Sequence, residues 1–135
     1  MVRKSNKLEV QKFLSSFFPQ YKITNDPFER FLCYFDKEVL GIISYSIIYE
    51  RAEINYICVR EEYRNQKIAT KLLNNAVENI LKESCENISL EVNVNNIPAI
   101  NLYRKHNFKQ KGIRKNYYDG IDGFLFVREL GDKNE

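Results

Sequence analysis

Residues 61–81 read EEYRNQKIATKLLNNAVENIL, and the architecture turns on them. Ala69, Leu72, Leu73, Ala76, Val77, Ile80 and Leu81 recur at steps of three and four, which predicts a helix with one buried stripe. The run just upstream, EINYICV, reads as a strand that feeds directly into the turn. A helix start ordinarily carries Asp or Glu in its first turn, yet here Arg64, Gln66 and Lys67 stand at the mouth and no carboxylate follows. Exposed N–H groups and the positive end of the helix dipole make such a mouth a place for an external anion. On this turn alone, a solvated basic cap over a structural helix is an equal reading. The phosphate-loop pattern GxxxxGK[ST] is absent.

Working outward, Lys7–Phe18 places Leu8, Phe13, Leu14, Phe17 and Phe18 on one side and predicts a first helix closed by Pro19. QYKITNDPFER is a loop by its Asn-Asp-Pro content. FLCYF, VLGIISYSIIY and EINYICV then read as an antiparallel meander, with reversals at Asp36-Lys37 and Glu50-Arg51. After the central helix come the strand NISLEVNV and a short helix in IPAINLYRKHNF, with Asn95 and Asn96 near its start and Pro98 in its first turn. FKQKG and GFLFVREL are the last two predicted strands, joined by IRKNYYDGID. Helix, three strands, helix, strand, helix and two strands predict an α+β fold. Its central sheet is mixed but mainly antiparallel and flanked by helices, because the strand–helix–strand crossover demands parallel neighbours. The expectation is a single domain over residues 1–135, with 131–135 a loose tail.

Composition narrows the function classes. Apolar residues at 44% and charged residues at 29% are ordinary globular usage, which disfavours a disordered chain. No apolar run approaches the roughly 18–20 residues that span a bilayer, and the N-terminus lacks a signal-peptide core, so a cytoplasmic protein without membrane association is expected. Cys33, Cys58 and Cys85 are odd in number and lack a CxxC pair, which points to free buried thiols rather than a disulfide framework or a metal site. The single histidine, His106, limits metal and triad chemistry further. A net charge of +3 is too mild for a nucleic-acid partner and suits a polyanionic small molecule.

Two patterns sit on either side of the central helix: V-x-x-x-Y-R-x-x-x-I-A-x-x-L-L from Val59, and L-E-V-x-x-x-N-x-x-A-I-x-L-Y-x-x-x-x-F from Leu90. Together, across Ile54–Phe108, they resemble the acetyl-CoA-binding core of the GNAT N-acetyltransferases. Within that superfamily LEV, NLY and IRKNYY are most similar to the bacterial ribosomal-protein-alanine N-acetyltransferases, the RimI type, which acetylate a protein N-terminal α-amine. The resemblance implies acetyl-CoA as co-substrate, no metal, and phosphate as the missing charge at the helix mouth. It implies Glu91 as general base acting through water, and Tyr103 as the acid that protonates the leaving thiolate. The backbone of Ile57, Cys58 and Val59 would pair with the pantetheine arm and offer an N–H to the thioester oxygen. The amides of Arg64, Asn65, Gln66, Lys67, Ile68, Ala69 and Thr70 would hold the diphosphate, and Asn96 would contact the cofactor further along. The family pattern in this turn is (Gln/Arg)-x-x-Gly-x-(Gly/Ala); Arg64 and Ala69 match it and Lys67 replaces the first glycine. With Lys67 at an ordinary helical φ, its ammonium would reach the diphosphate.

Each residue also has a structural reading. Glu91 alternates with Leu90 and Val92 and could face solvent; Tyr103 could be a packing residue; Asn96 could be only a cap. Tyr117 and Tyr118 either line the acceptor groove or pack under the last strand. Cys58 has no base beside it in the sequence, so direct transfer is expected rather than an acetyl-cysteine intermediate. Baring an α-amine at neutral pH costs about 1 kcal/mol, whereas a lysine costs about 4–5 kcal/mol, so a lone carboxylate suits the α-amine better. A small amine (polyamine, amino acid or antibiotic) is the alternative acceptor, and a non-catalytic CoA-binding module the third reading.

Overall fold

The computed structural model describes residues 1–22, 25–64 and 66–130. Asn65 and the tail 131–135 lie outside the described residues. The order is β1 (Val2–Lys4), α1 (Lys7–Ser15), β2 (Glu29–Asp36), β3 (Glu38–Ile48), β4 (Arg51–Val59), a 3₁₀ turn (Glu61–Tyr63), α2 (Ile68–Leu81), β5 (Asn87–Asn93), α3 (Ile97–Lys105), β6 (Lys109–Tyr118) and β7 (Ile121–Glu129). One seven-stranded sheet runs β1-β2-β3-β4-β5-β7-β6. Every pairing is antiparallel except β4 with β5. The α+β expectation holds, because α2 is the crossover that brings β5 alongside β4 in parallel.

Alternation along each strand sends side chains to two cores. On one face Leu72, Leu73, Ala76 and Ile80 of α2 pack with Ile43, Ile54, Ile88, Leu90 and Phe126 of the sheet. On the other, Val10, Phe13 and Leu14 of α1 cover Phe31, Cys33 and Ile42. Emptying one fully buried position such as Leu72 would cost roughly 2–5 kcal/mol. Gly41 of β3 lets the start of α2 settle onto the sheet: a Cβ there would lie 3.1 Å from Ile68 Cγ2 and 3.1 Å from Val59 Cγ2. That close approach fixes the helix mouth at the end of β4.

Several sequence expectations are corrected. A further strand, β1, pairs with β2; three residues carry too little periodicity to announce it. The first helix stops at Ser15, where Phe17 and Phe18 amides bond the carbonyl of Leu14. Its stripe is Val10, Phe13 and Leu14, and Leu8 and Phe18 are exposed. In α2 the stripe begins at Ile68 and Leu81 is exposed. Most consequentially, IRKNYY is strand rather than linker, so β6 runs to Tyr118 and turns at Asp119-Gly120 into β7. Both turn residues have positive φ, 52° and 91°, the two-residue hairpin geometry that Asp-Gly favours.

Candidate functional site

The sheet opens at its parallel pair. β4 and β5 pair only at Arg51↔Asn87, Ala52↔Ile88 and Glu53↔Ser89, and then separate. A bulge falls in β4 at the same place: Ser44 pairs with Tyr56 and Tyr45 with Ile54, leaving Asn55 as the extra residue. Such a bulge bends its strand and increases the local twist, which carries Ile57–Val59 away from β5. Beyond Glu53 the β5-facing edge of β4 has no ladder partner among the described residues. Those edge groups can pair with an extended arm of a ligand, and the sequence-predicted Ile57, Cys58 and Val59 all lie along this stretch, half-buried.

At the end of β4 the chain reaches the α2 mouth. Lys67 is its N-cap at φ 62° and ψ 22°, with no side-chain cap, and the first turn has no acidic residue. The expectation of a helical φ at Lys67 is therefore wrong: the left-handed position that the family pattern gives to glycine is occupied by lysine. Successive N–H groups around a left-handed residue form a concavity that suits an anion, and that is what this position offers. Arg64, Gln66 and Lys67 are exposed at the mouth, and Arg64 Nε donates to the carbonyl of Val59 at 3.3 Å. Ile68 is buried, while Ala69 and Thr70 are half-buried. Asn65 falls outside the described residues. An uncompensated helix mouth with cations beside it and an open strand edge leading away fits a diphosphate with an extended arm.

Glu91 stands on β5 between Leu90 and Val92, which face the α2 core, so it points to the α1 face of the sheet. It is not solvent-facing: its side chain is only 11% exposed. Arg114 of β6 brings Nε to 2.7 Å from Glu91 Oε2. That contact lacks the alignment of a hydrogen bond, and Oε2 is buried without a hydrogen-bond partner among the described residues. Tyr117, half out in solvent, lies beside the Glu91 carboxylate, and the hydrogen-bonding pull of that carboxylate, then burial, pushes its phenol upward. Burial, and then the Glu91 charge, do the same to Tyr118. The two rings meet edge to face at 4.9 Å. Both predicted groove tyrosines therefore surround the carboxylate.

Tyr103 lies on the opposite side of β5. It is 7% exposed within the α2-side core, and its ring meets Phe108 at 5.7 Å. Burial, and then Tyr118, push its phenol up to about 12. Tyr118 thus lies close enough to act electrically on Tyr103 and to be acted on by Glu91. Asn96 is the N-cap of α3, its Oδ1 accepting from the Ala99 amide at 3.3 Å. Cys58 is half-buried rather than buried, and burial pushes its thiol up against the opposing pull of Arg64 and Arg60. A thiol held that way is a poor nucleophile. His106 bonds the Leu102 carbonyl at 2.9 Å and Asn74 Oδ1 at 3.0 Å, a tie between α3 and α2 remote from this chemistry.

Residues 4–108 match the sequence pattern of the Acetyltransferase (GNAT) family. The chain belongs to that family. A Bacillus subtilis (strain 168) protein, provisionally named a ribosomal protein bS18-alanine N-acetyltransferase, is 33% identical over 108 residues, or 78% of this chain and 72% of the relative. An N-alpha-acetyltransferase of Saccharolobus solfataricus is 47% identical over 76 residues, 55% of this chain; the match spans 46% of that protein's length. The crystal structure of the Escherichia coli ribosomal-protein-S18-alanine N-acetyltransferase superposes with a TM-score of 0.82 at 17% identity, over 100% of this chain and 96% of that one. Arabidopsis thaliana NAA60 in complex with acetyl-CoA gives 0.79 at 20% identity, over 96% and 98%. At these identities the superpositions speak for the GNAT fold alone.

Three residues of this GNAT domain escaped the sequence reading. Glu53 closes the β4–β5 ladder opposite Ser89, and burial, then the Glu91 charge, push its carboxyl up while Arg114 opposes them. It borders an open depression of about 440 Å³ lined also by Ser46, Tyr49, Arg51 and Ser89. Arg114 and Asn55 are the others. Strand parity could have placed Glu53 on the same face as Glu91, but only the three-dimensional register puts β4 beside β5. No metal-holding group of His, Cys, Asp or Glu occurs among the described residues, and no described helix is long and apolar enough to cross a membrane.

Proposed function

We propose that this acetyltransferase moves acetyl from acetyl-CoA directly to a protein N-terminal α-amine. One observation carries the reading: the sheet splays at Glu53–Ser89, with Glu91 on one face of β5 and Tyr103 on the other. Arg64, Gln66, Lys67 and the first amides of α2 would hold the diphosphate, with the Asn65 amide as expected from the sequence. Ile57, Cys58 and Val59 would hold the pantetheine arm by strand-like pairing, with Asn96 beyond. Bound there, acetyl-CoA supplies an activated carbonyl whose leaving group is a thiol. On the α1 face Glu91 accepts the amine's proton, directly or through one water, so that the neutral amine attacks. An N–H of the β4 edge faces the carbonyl oxygen as charge develops on it. The N–C bond forms as the C–S bond breaks. Tyr103, which remains protonated well beyond neutral pH, would pass its proton to the departing sulfur so that the coenzyme leaves as the thiol.

The names of the Bacillus and archaeal relatives support an α-amine acceptor, as does the pair Tyr117 and Tyr118 at the end of β6 near Glu91, where an aromatic wall suits an extended peptide. The carboxylates Glu53 and Glu91 together favour the second reading, a small cationic amine. Incubation with acetyl-CoA, a panel of N-terminal peptides and a panel of small amines separates the two by mass spectrometry. Acetylated peptide α-amines are expected. Glu91→Gln should lower turnover on the best acceptor by about 10²–10⁴-fold while calorimetric CoA binding persists. Full activity in that variant would remove Glu91 from the chemistry, and acetylation of small amines alone would overturn the peptide reading.

A further inference from the structure

The α1 face of the sheet has a dry end under α1 and a polar end that α1 does not reach. At the polar end Ser44 and Ser46 of β3 are 0% and 5% exposed. Buried hydroxyls need partners, and both find the same one. Asn55 Nδ2, on the extra residue of the β4 bulge, donates to Ser44 Oγ at 2.9 Å and to Ser46 Oγ at 3.0 Å. Ser44 in turn donates to a carboxylate oxygen of Glu29 on β2.

This chain has a fixed polarity. A carboxylate can only accept, so the Ser44 proton goes to Glu29, and the Ser44 oxygen is left to accept from Asn55. The amide orientation of Asn55 is thereby set: both its N–H groups turn toward β3. Its carbonyl Oδ1, on the other arm of the planar amide, then points away from β3. The other flank of β4 is the splay toward β5. Asn55 stands two residues beyond Glu53 and Glu91 two beyond Ser89, the last paired residues, so the two begin the facing walls of the opening. Asn55 is exposed.

We infer that Asn55 Oδ1 is an acceptor-reading group, taking the hydrogen bond of the first peptide N–H of the substrate while the neighbouring α-amine lies against Glu91. The inference rests on the peptide reading above and deepens it. A neutral carbonyl cannot hold an ammonium as Glu53 and Glu91 can, but it matches an amide N–H one residue along from the reacting nitrogen. Such a contact discriminates a peptide from an amine that lacks the N–H, because an unmatched polar group in the cleft costs binding.

The test pairs two substrates with two variants. One acceptor is a peptide with a free N-terminus; the other is its depsipeptide, in which an ester oxygen replaces the first backbone N–H. Wild type is expected to favour the amide by about 10-fold in kcat/KM. Asn55→Ala should lose about that factor on the amide, show no preference between the two acceptors, and keep its KM for acetyl-CoA. Ser44→Ala, which leaves Oδ1 in place but frees the amide to turn, should show an intermediate preference. Asn55→Ala retaining the wild-type preference overturns the assignment, as does a Ser44→Ala enzyme identical to wild type should the first variant fail to fold. Wild type that acetylates small amines but neither peptide overturns the peptide reading itself, a separate outcome on the same plates.

Discussion

Replacing Lys67 by glycine and by alanine separates folding from binding at the helix mouth, with opposite signs. Lys67 holds φ 62°, where a Cβ crowds the following carbonyl at a cost of roughly 1–2 kcal/mol. Glycine removes that strain but adds about 0.5–1 kcal/mol of chain entropy to the unfolded state. Lys67→Gly is thus expected to stabilise the ligand-free protein by about 0.5–1 kcal/mol, or about 2–4 °C in Tm for a chain of this size. Lys67→Ala keeps the Cβ and should leave Tm where it is. Both variants lose the ammonium, which at an exposed position contributes about 0.5–1 kcal/mol to an anion, so CoA affinity should fall about 2–5-fold at low salt in each. Acetyl-pantetheine, which lacks the diphosphate, should bind all three proteins alike. Differential scanning calorimetry reads the first effect and titration calorimetry the second. Equal Tm for the glycine and alanine variants would refute the left-handed conformation. Unchanged CoA affinity in both would remove Lys67 from the diphosphate site.

Two further outcomes follow from the titrating groups. Tyr103→Phe should slow the chemical step about 10–100-fold without changing CoA affinity. Because burial keeps the phenol protonated up to about 12, the basic limb of the kcat–pH profile should coincide in the variant and in wild type, and a limb lost with the phenol would contradict this. Glu53 is the other case. Its folded carboxyl is pushed up by burial and by Glu91, so the folded state is favoured while Glu53 is protonated and loses that stability as pH rises through the folded pKa. Glu53→Gln should accordingly raise Tm at pH 7 and have little effect at pH 3.5, followed by thermal melts; a gain at pH 3.5 as large as at pH 7 would show that the charge is not the cause.

Much of this site is legible in the residues, and the rest fails for definable reasons. The change of period after Val59 locates α2, and the missing carboxylate in its first turn, which the structure retains, marks a helix mouth that an external anion would suit. Glu91 and Tyr103 stand out only through the resemblance of LEV and NLY to the family pattern; alternation and helical spacing alone leave them as a surface and a packing residue. Lys67 misleads because a sequence shows a side chain, not a φ; the left-handed position is imposed by the geometry of the chain entering α2, and lysine tolerates it. IRKNYY reads as a linker since β6 is exposed on both faces along most of its length, which erases the alternation that marks a strand. Its Asp119-Gly120 turn was the available signal. Glu53 and Arg114 reach Glu91 only across strands far apart in the chain, a relation no local pattern contains.

The splay is what the proposed reaction needs if one carboxylate and one phenol are to act on one substrate from opposite faces of a sheet. A fully paired β4–β5 ladder would place the backbone of two strands between Glu91 and Tyr103, and neither could reach a shared substrate. Two features open it: parallel pairing that stops after Glu53, and a bulge in β4 that adds Asn55 without a partner in β3. A bulge left to itself is a soft point, because its extra residue makes no ladder bonds. Here it is fastened to two buried serines, and the proton of one of them, Ser44, is directed by Glu29. The strand can therefore bend away from β5 and still present its free edge at one fixed angle. Tyr118 stands at the hairpin end of β6, near enough to both for its charge to act on Tyr103 and the Glu91 charge to act on it. The opening is a product of backbone register rather than of a cavity between domains, so in the proposed reaction the acceptor would meet Glu91 on the α1 face while the diphosphate would lie at the mouth of α2.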